Sequence, residues 1–154
     1  MRKNYWLQLL VGTLFFLSIS HLCAQSNETL DRFLAQERAV FGYSAYMVLT
    51  AAGELPEEAS PQEAAAAVSR IGWSDKVSAS ETPISLGEYS YLLMKAFDIR
   101  GGLMYTLFPG PRYAARELKY LQIIPGKPAP GRSISGTDAV QILGRVLEWK
   151  EERS

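Results

Sequence analysis

The chain has 154 residues, 47% of them apolar and 21% charged, with 16 basic and 16 acidic side chains. This suits one domain with a modest core; an ordinary globular composition argues against a disordered chain, and the charge balance argues against whole-molecule attraction to nucleic acid. A single histidine, His21, and a single cysteine, Cys23, leave little reactive chemistry to distribute.

The first expected element is a leader. Arg2 and Lys3 precede a mostly apolar run from Trp6 to Ile19, followed by His21-Leu22-Cys23-Ala24 and then Gln25. A basic start, a short apolar centre and a small residue before a polar one describe a secretory signal peptide over 1–24. The run is interrupted by Gln8 and Thr13 and is short for a span, which needs about 20 residues. An uncleaved anchor and a lipid-modified Cys23 are the alternatives, although Leu22 stands where lipoprotein signals carry a small residue. Cleavage after Ala24 removes both His21 and Cys23. The mature chain then has no disulfide, no Cys–His nucleophile, no Ser-His-Asp triad and none of the usual zinc sites, so no metal or cofactor is expected. It also keeps 14 basic against 16 acidic side chains, a net charge of −2.

Residues 25–150 read as a single all-α domain, with a charged tail over 151–154. Ser26-Asn27-Glu28 caps a first helix running to about Ala51, with Leu30, Phe33, Leu34, Val40, Phe41 and Met47 on its apolar side and Gly42 weakening its middle. Glu57 and Glu58 form a solvated acidic pair ahead of the next helix. A repeated figure follows, in which a serine stands three residues before a carboxylate and then an apolar stripe opens: Ser60 with Glu63, Ser85 with Glu88, Ser135 with Asp138. Serine caps an orphan backbone N–H while the carboxylate reaches back, so each copy starts a helix. The stripes are Ala64, Ala67, Val68 and Ile71; Tyr89, Leu92, Leu93 and Ala96, with Phe97 beyond; and Ala139, Ile142, Leu143 and Val146, with Leu147 beyond. Spacings of 25 and 50 residues between the serines suggest a repeated unit.

Between the second and third copies, Arg100-Gly101-Gly102 should end a helix. Leu103-Met104-Tyr105-Thr106-Leu107-Phe108 is either a strand or a buried helical turn; periodicity does not separate them. Pro111 starts a helix to about Ile123 with Ala114, Leu118 and Leu121 inside and Arg112, Arg116 and Lys119 on the opposite stripe. Trp73 and Trp149 close their helices as lids on the core.

From Tyr113 to Leu147, a helix, the hydrophobic exit Ile123-Ile124-Pro125-Gly126, a loop with Gly131 and the capped opening Ile134-Ser135-Gly136-Thr137-Asp138-Ala139 resemble the S-layer homology (SLH) domain. A looser match runs from Phe41 to Ala64, and Ile84–Tyr89 fits the capped helix without an obvious helix before it. The resemblance implies a small bundle of helix–loop–helix repeats that attaches to cell-wall polymer. It departs from the family at the wall-binding arginine, whose place is taken by Pro61, Leu86 and Gly136.

The candidate ligand-binding surface is Tyr105, Phe108, Arg112, Tyr113, Arg116, Lys119 and Tyr120, where rings can stack on sugars beside cations. The alternative is a solvated helix face whose tyrosines tuck into the core edge. The expected function is a non-enzymatic, exported cell-envelope module that binds cell-wall polysaccharide or another envelope protein. The alternatives are a structural subunit of a larger periplasmic or outer-membrane assembly and a carboxylate-based glycoside hydrolase. Glu63, Glu88 and Asp138, the carboxylates such a hydrolase would use, are already explained as helix-start residues.

Overall fold

The computed structural model describes residues 28–73 and 80–153, and within them the chain is helical with no strand. In chain order come α1 (28–34), α2 (Phe41–Ala51), α3 (Pro61–Arg70), α4 (Leu86–Ala96), α5 (Leu103–Leu107), α6 (Pro111–Tyr120) and α7 (Gly136–Glu151). The expected leader, with His21 and Cys23, lies outside the described residues. No described helix is long and apolar enough to cross a membrane.

Ser60, Ser85 and Ser135 each begin a helix with a full capping box. The serine hydroxyls accept from the N–H groups of Glu63 at 3.2 Å, Glu88 at 3.3 Å and Asp138 at 3.0 Å. The returning arm is tight for the two glutamates, at 2.7 Å and 2.9 Å, and long for Asp138, at 3.5 Å, because aspartate is one methylene shorter. Asp138 also accepts from Arg132 at 3.2 Å. Hydrogen bonds from the Ser60 backbone and then its hydroxyl hold the Glu63 carboxyl below its usual range. Ser85→Ala removes the donor–acceptor exchange at α4 and is expected to cost about 1 kcal/mol in chemical denaturation. An unchanged midpoint would show that packing alone sets that helix start.

The single first helix expected to run to Ala51 is instead two helices. The chain turns out of α1 and is extended at Ala39-Val40, where Val40 forms an isolated antiparallel bridge with Pro83. The Ala39 N–H donates to the Ile134 carbonyl at 2.7 Å, and the Ala39 carbonyl accepts from Ile84 N–H at 2.9 Å. Two long-range partners outweigh a local preference worth only tenths of a kcal/mol per residue. Gln36 Oε1 accepts from the N–H of Val40 at 3.0 Å, and Val40 stands at the N-cap of α2 with no side-chain cap of its own. Gly42 lies in the first turn of α2 rather than mid-helix, and a Cβ there would run into the Ser80 side chain and stand 3.0 Å from the Pro61 carbonyl oxygen.

These contacts belong to a closed ring. Phe41 and Gly42 donate their N–H groups to Thr82 and Ser80 carbonyls, both at 2.8 Å, just before α4. Leu86 and Gly87 donate to Arg132 and Pro130, both at 2.8 Å, just before α7. Gly136 donates to Gln36 at 2.9 Å, just before α2. First-turn N–H groups have no partner inside their own helix; here the loop ahead of another helix supplies it. The ring relates α2, α4 and α7, so Ser60, which starts α3, stands outside it.

Around the ring α2 packs on α3 and α4 on α6. Tyr89, fully buried, crosses from α4 to α7 and donates its hydroxyl to the Ala139 carbonyl at 2.8 Å. Most predicted inner faces are buried, including Val68, Leu92, Leu93, Leu118, Ile142, Leu143 and Val146. Ile71, expected inside, is 49% exposed: Gly72 turns the chain at φ 71°, and Trp73 packs on the core beyond it. Helix α4 ends at Ala96, before the expected glycine stop, with Asp98 taking the left-handed turn at φ 50°. Asparagine and aspartate tolerate that conformation better than other side chains with a Cβ.

Candidate binding surface

The segment whose conformation was left open, Leu103–Phe108, is helical at α5 and largely exposed rather than buried. Its one anchor is Tyr105, which is 9% exposed and folds back over Gly101, where a Cβ would stand 2.5 Å from the ring. The Tyr105 ring meets Tyr91 of α4 at 6.3 Å between centroids, and Lys95 Nζ sits 5.5 Å from the Tyr91 centroid. With Tyr105 turned inward, Leu103, Met104, Leu107 and Phe108 are 70%, 51%, 58% and 62% exposed.

Helix α6 continues the surface. Phe108 stacks on Tyr113 with centroids 6.4 Å apart and planes 30° from parallel, and the Arg116 guanidinium lies 6.0 Å from the Tyr113 ring. Arg112 is exposed in the first turn of α6, which has no acidic residue. A cation there works against the helix dipole, by about 0.3–1 kcal/mol at a surface, so helix stability does not account for it. Lys119 is half-buried, and Tyr120 is 83% exposed at the far end of the helix. Seven residues of rise put Tyr120 about 10 Å from Tyr113 on the same flank.

The structure thus brings Phe108, Tyr113 and Arg116 into one stacked unit, flanked by Arg112, with Lys119 and Tyr120 further along and Tyr105 inside the molecule. An open groove of about 510 Å³ lies behind α5, lined by Lys95, Asp98, Ile99, Arg100 and Tyr105 among others. Sequence reasoning did not place Leu103, Met104 and Leu107 on the surface. The only cue was their position between Gly101-Gly102 and Pro109-Gly110-Pro111, which detaches a short apolar run from its neighbours.

Burial and the neighbouring Tyr91 push the Tyr105 hydroxyl up to about 12, and burial raises that of Tyr89 further. Unfolded tyrosines ionise near pH 10. Both folded phenols stay neutral there, so their stabilisation is complete below about pH 10 and is lost as the pH rises above it. Each contributes at most about 1.4 kcal/mol per pH unit. Tyr105→Phe is expected to flatten the fall in denaturation midpoint between about pH 10 and 12; the same slope in the variant would contradict the assignment.

Among the described residues no group of three or more His, Cys, Asp or Glu side chains is placed to hold a metal ion. Glu63, Glu88 and Asp138 each bond to their own capping serine. Set against protein-family models, curated proteins and solved structures, the chain matches none of them.

Proposed function

We propose that this protein is an exported, non-enzymatic module of the cell envelope that holds cell-wall polymer or another envelope protein through the face built by α5 and α6. The observation that carries this reading is the Phe108–Tyr113–Arg116 stack, in which an exposed Phe108 and Arg116 flank a half-buried Tyr113, with Arg112 beside it and Tyr120 standing open along the same helix. Rings presented with cations suit a sugar polymer bearing acidic groups, because the ring covers the apolar face of the sugar while the guanidinium meets the anion. Export rests on the leader expected over 1–24, and the repeat architecture on the SLH-like residues from Tyr113 to Leu147. The starts of α2, α4 and α7, linked in one ring, support a body of helix–loop–helix units. The absent family arginine moves the candidate contact to α6 instead of the capped helices.

Sedimentation with purified cell wall tests this. The protein is expected to co-sediment, and Arg112→Ala/Arg116→Ala to weaken that association at least about tenfold, since each charge-assisted contact contributes roughly 1.5–3 kcal/mol. Helical content should be unchanged. If neither form sediments, the polymer reading fails and a protein partner remains, to be sought by cross-linking from position 120 in intact cells.

A further inference from the structure

We infer that α5 is a membrane-docking turn that seats on an anionic lipid surface; this goes beyond the polymer- or protein-binding reading and does not depend on it. The helix is a surplus in the fold. Phe41 and Leu86, the first residues of α2 and α4, are 45 positions apart, whereas Pro61 and Pro111, the first residues of the helices packed on them, are 50 apart. The connection between α4 and α6 is therefore five residues longer than that between α2 and α3, and α5 is five residues long. The shorter connection makes the same junction without it. Apart from the Tyr105 anchor these residues add little to the core, yet they place three large apolar side chains in solvent with Phe108 next to them.

What surrounds the turn favours lipid over a protein groove. At about 100° per residue, Leu103, Leu107, Met104 and Phe108 fan across about 140° of the helix surface. A groove-binding helix presents a stripe at i, i+3, i+4 and i+7 over two turns, which five residues cannot supply. An interfacial turn needs a broad apolar face and few groups that resist leaving water. Thr106 directs both its N–H, at 3.0 Å, and its hydroxyl, at 3.1 Å, to the Gly102 carbonyl. Phe108 N–H bonds the Met104 carbonyl at 3.0 Å, and Pro109 has no N–H to satisfy. Lys95, Asp98 and Arg100 line the groove behind the turn, Arg112 and Arg116 follow it on α6, and Glu117 lies beside Gly102. Four cations against two carboxylates flank the turn, a net of two positive charges, complementary to acidic headgroups.

The test uses the full chain with Cys23→Ser and a nitrobenzoxadiazole label on Leu107→Cys, and a control label on Ala66→Cys, which is exposed on α3. Vesicles are pure phosphatidylcholine or an equimolar mixture with phosphatidylglycerol. The label at 107 is expected to shift to the blue and to be quenched by an acyl-chain nitroxide, while the label at 66 stays in water. Half-saturation should need about 25-fold less anionic lipid, at roughly fivefold for each net charge. A label at 107 that stays in water on anionic vesicles overturns the inference, even where the chain sediments with them through its leader. Insertion with equal affinity for both vesicle types overturns the headgroup pairing. Shielding of position 107 only in a purified complex with an envelope protein would reassign α5 to a protein contact.

Discussion

Gly136→Ala is expected to destabilise the protein severely, while Gly144→Ala, two turns further along the same helix, is expected to stabilise it. The difference is space, not backbone conformation. A Cβ on Gly136 would fall on the carbonyl oxygen of Phe33 and stand 3.3 Å from the Leu34 backbone, whereas a Cβ on Gly144 meets nothing within 4 Å. The atoms in the way at Gly136 are backbone, so no side chain can swing aside. To make room, α7 must leave the end of α1, and the Gly136 N–H then loses the Gln36 carbonyl at 2.9 Å. Overpacking of this kind costs on the order of 3–5 kcal/mol, against a total stability of about 5–15 kcal/mol. In an exposed helix interior the same substitution gains up to about 1 kcal/mol. Thermal melts of the two variants should move in opposite directions; a shift of the same sign and size in both would contradict the close packing at Phe33.

Tyr89 carries the second large effect, and two variants separate its parts. The side chain is wholly buried between α4 and α7. Tyr89→Phe keeps the ring and removes the bond to Ala139, leaving that carbonyl one donor short, at about 1–2 kcal/mol. Tyr89→Ala also opens a cavity, and is expected to lose about 3–5 kcal/mol. Denaturant titrations giving similar losses for both would mean that the hydroxyl, not the ring, joins the helices. Tyr89→Phe should also make the protein less sensitive to alkali, because a phenol held neutral only in the folded state is then absent.

The helix starts were legible because their cause is local. Ser60, Ser85 and Ser135 each interact with a carboxylate three residues away, and that spacing alone brings the two groups together. The inner stripes of α4 and α7 were legible for the same reason, since period sets face. The break at Ala39-Val40 was not, because its partners, Pro83, Ile84 and Ile134, are far away in sequence and no pattern near residue 40 announces them. Gly42 was misjudged for a related reason: glycine in a helix reads as weakness until the neighbouring segment that requires it is known. At the candidate surface, the cations of α6 follow from helical spacing. Which apolar residues of Leu103–Phe108 face outward does not, since one inward ring, Tyr105 over Gly101, decides the orientation of the rest.

The closure of Gly136 onto Gln36 also bears on how such a chain comes into being. Made from its beginning, the chain delivers Phe33 and Gln36 a hundred residues before the segment that covers them. The contact that joins α1 to α7 therefore waits on residue 136, and its wide sequence separation slows that step.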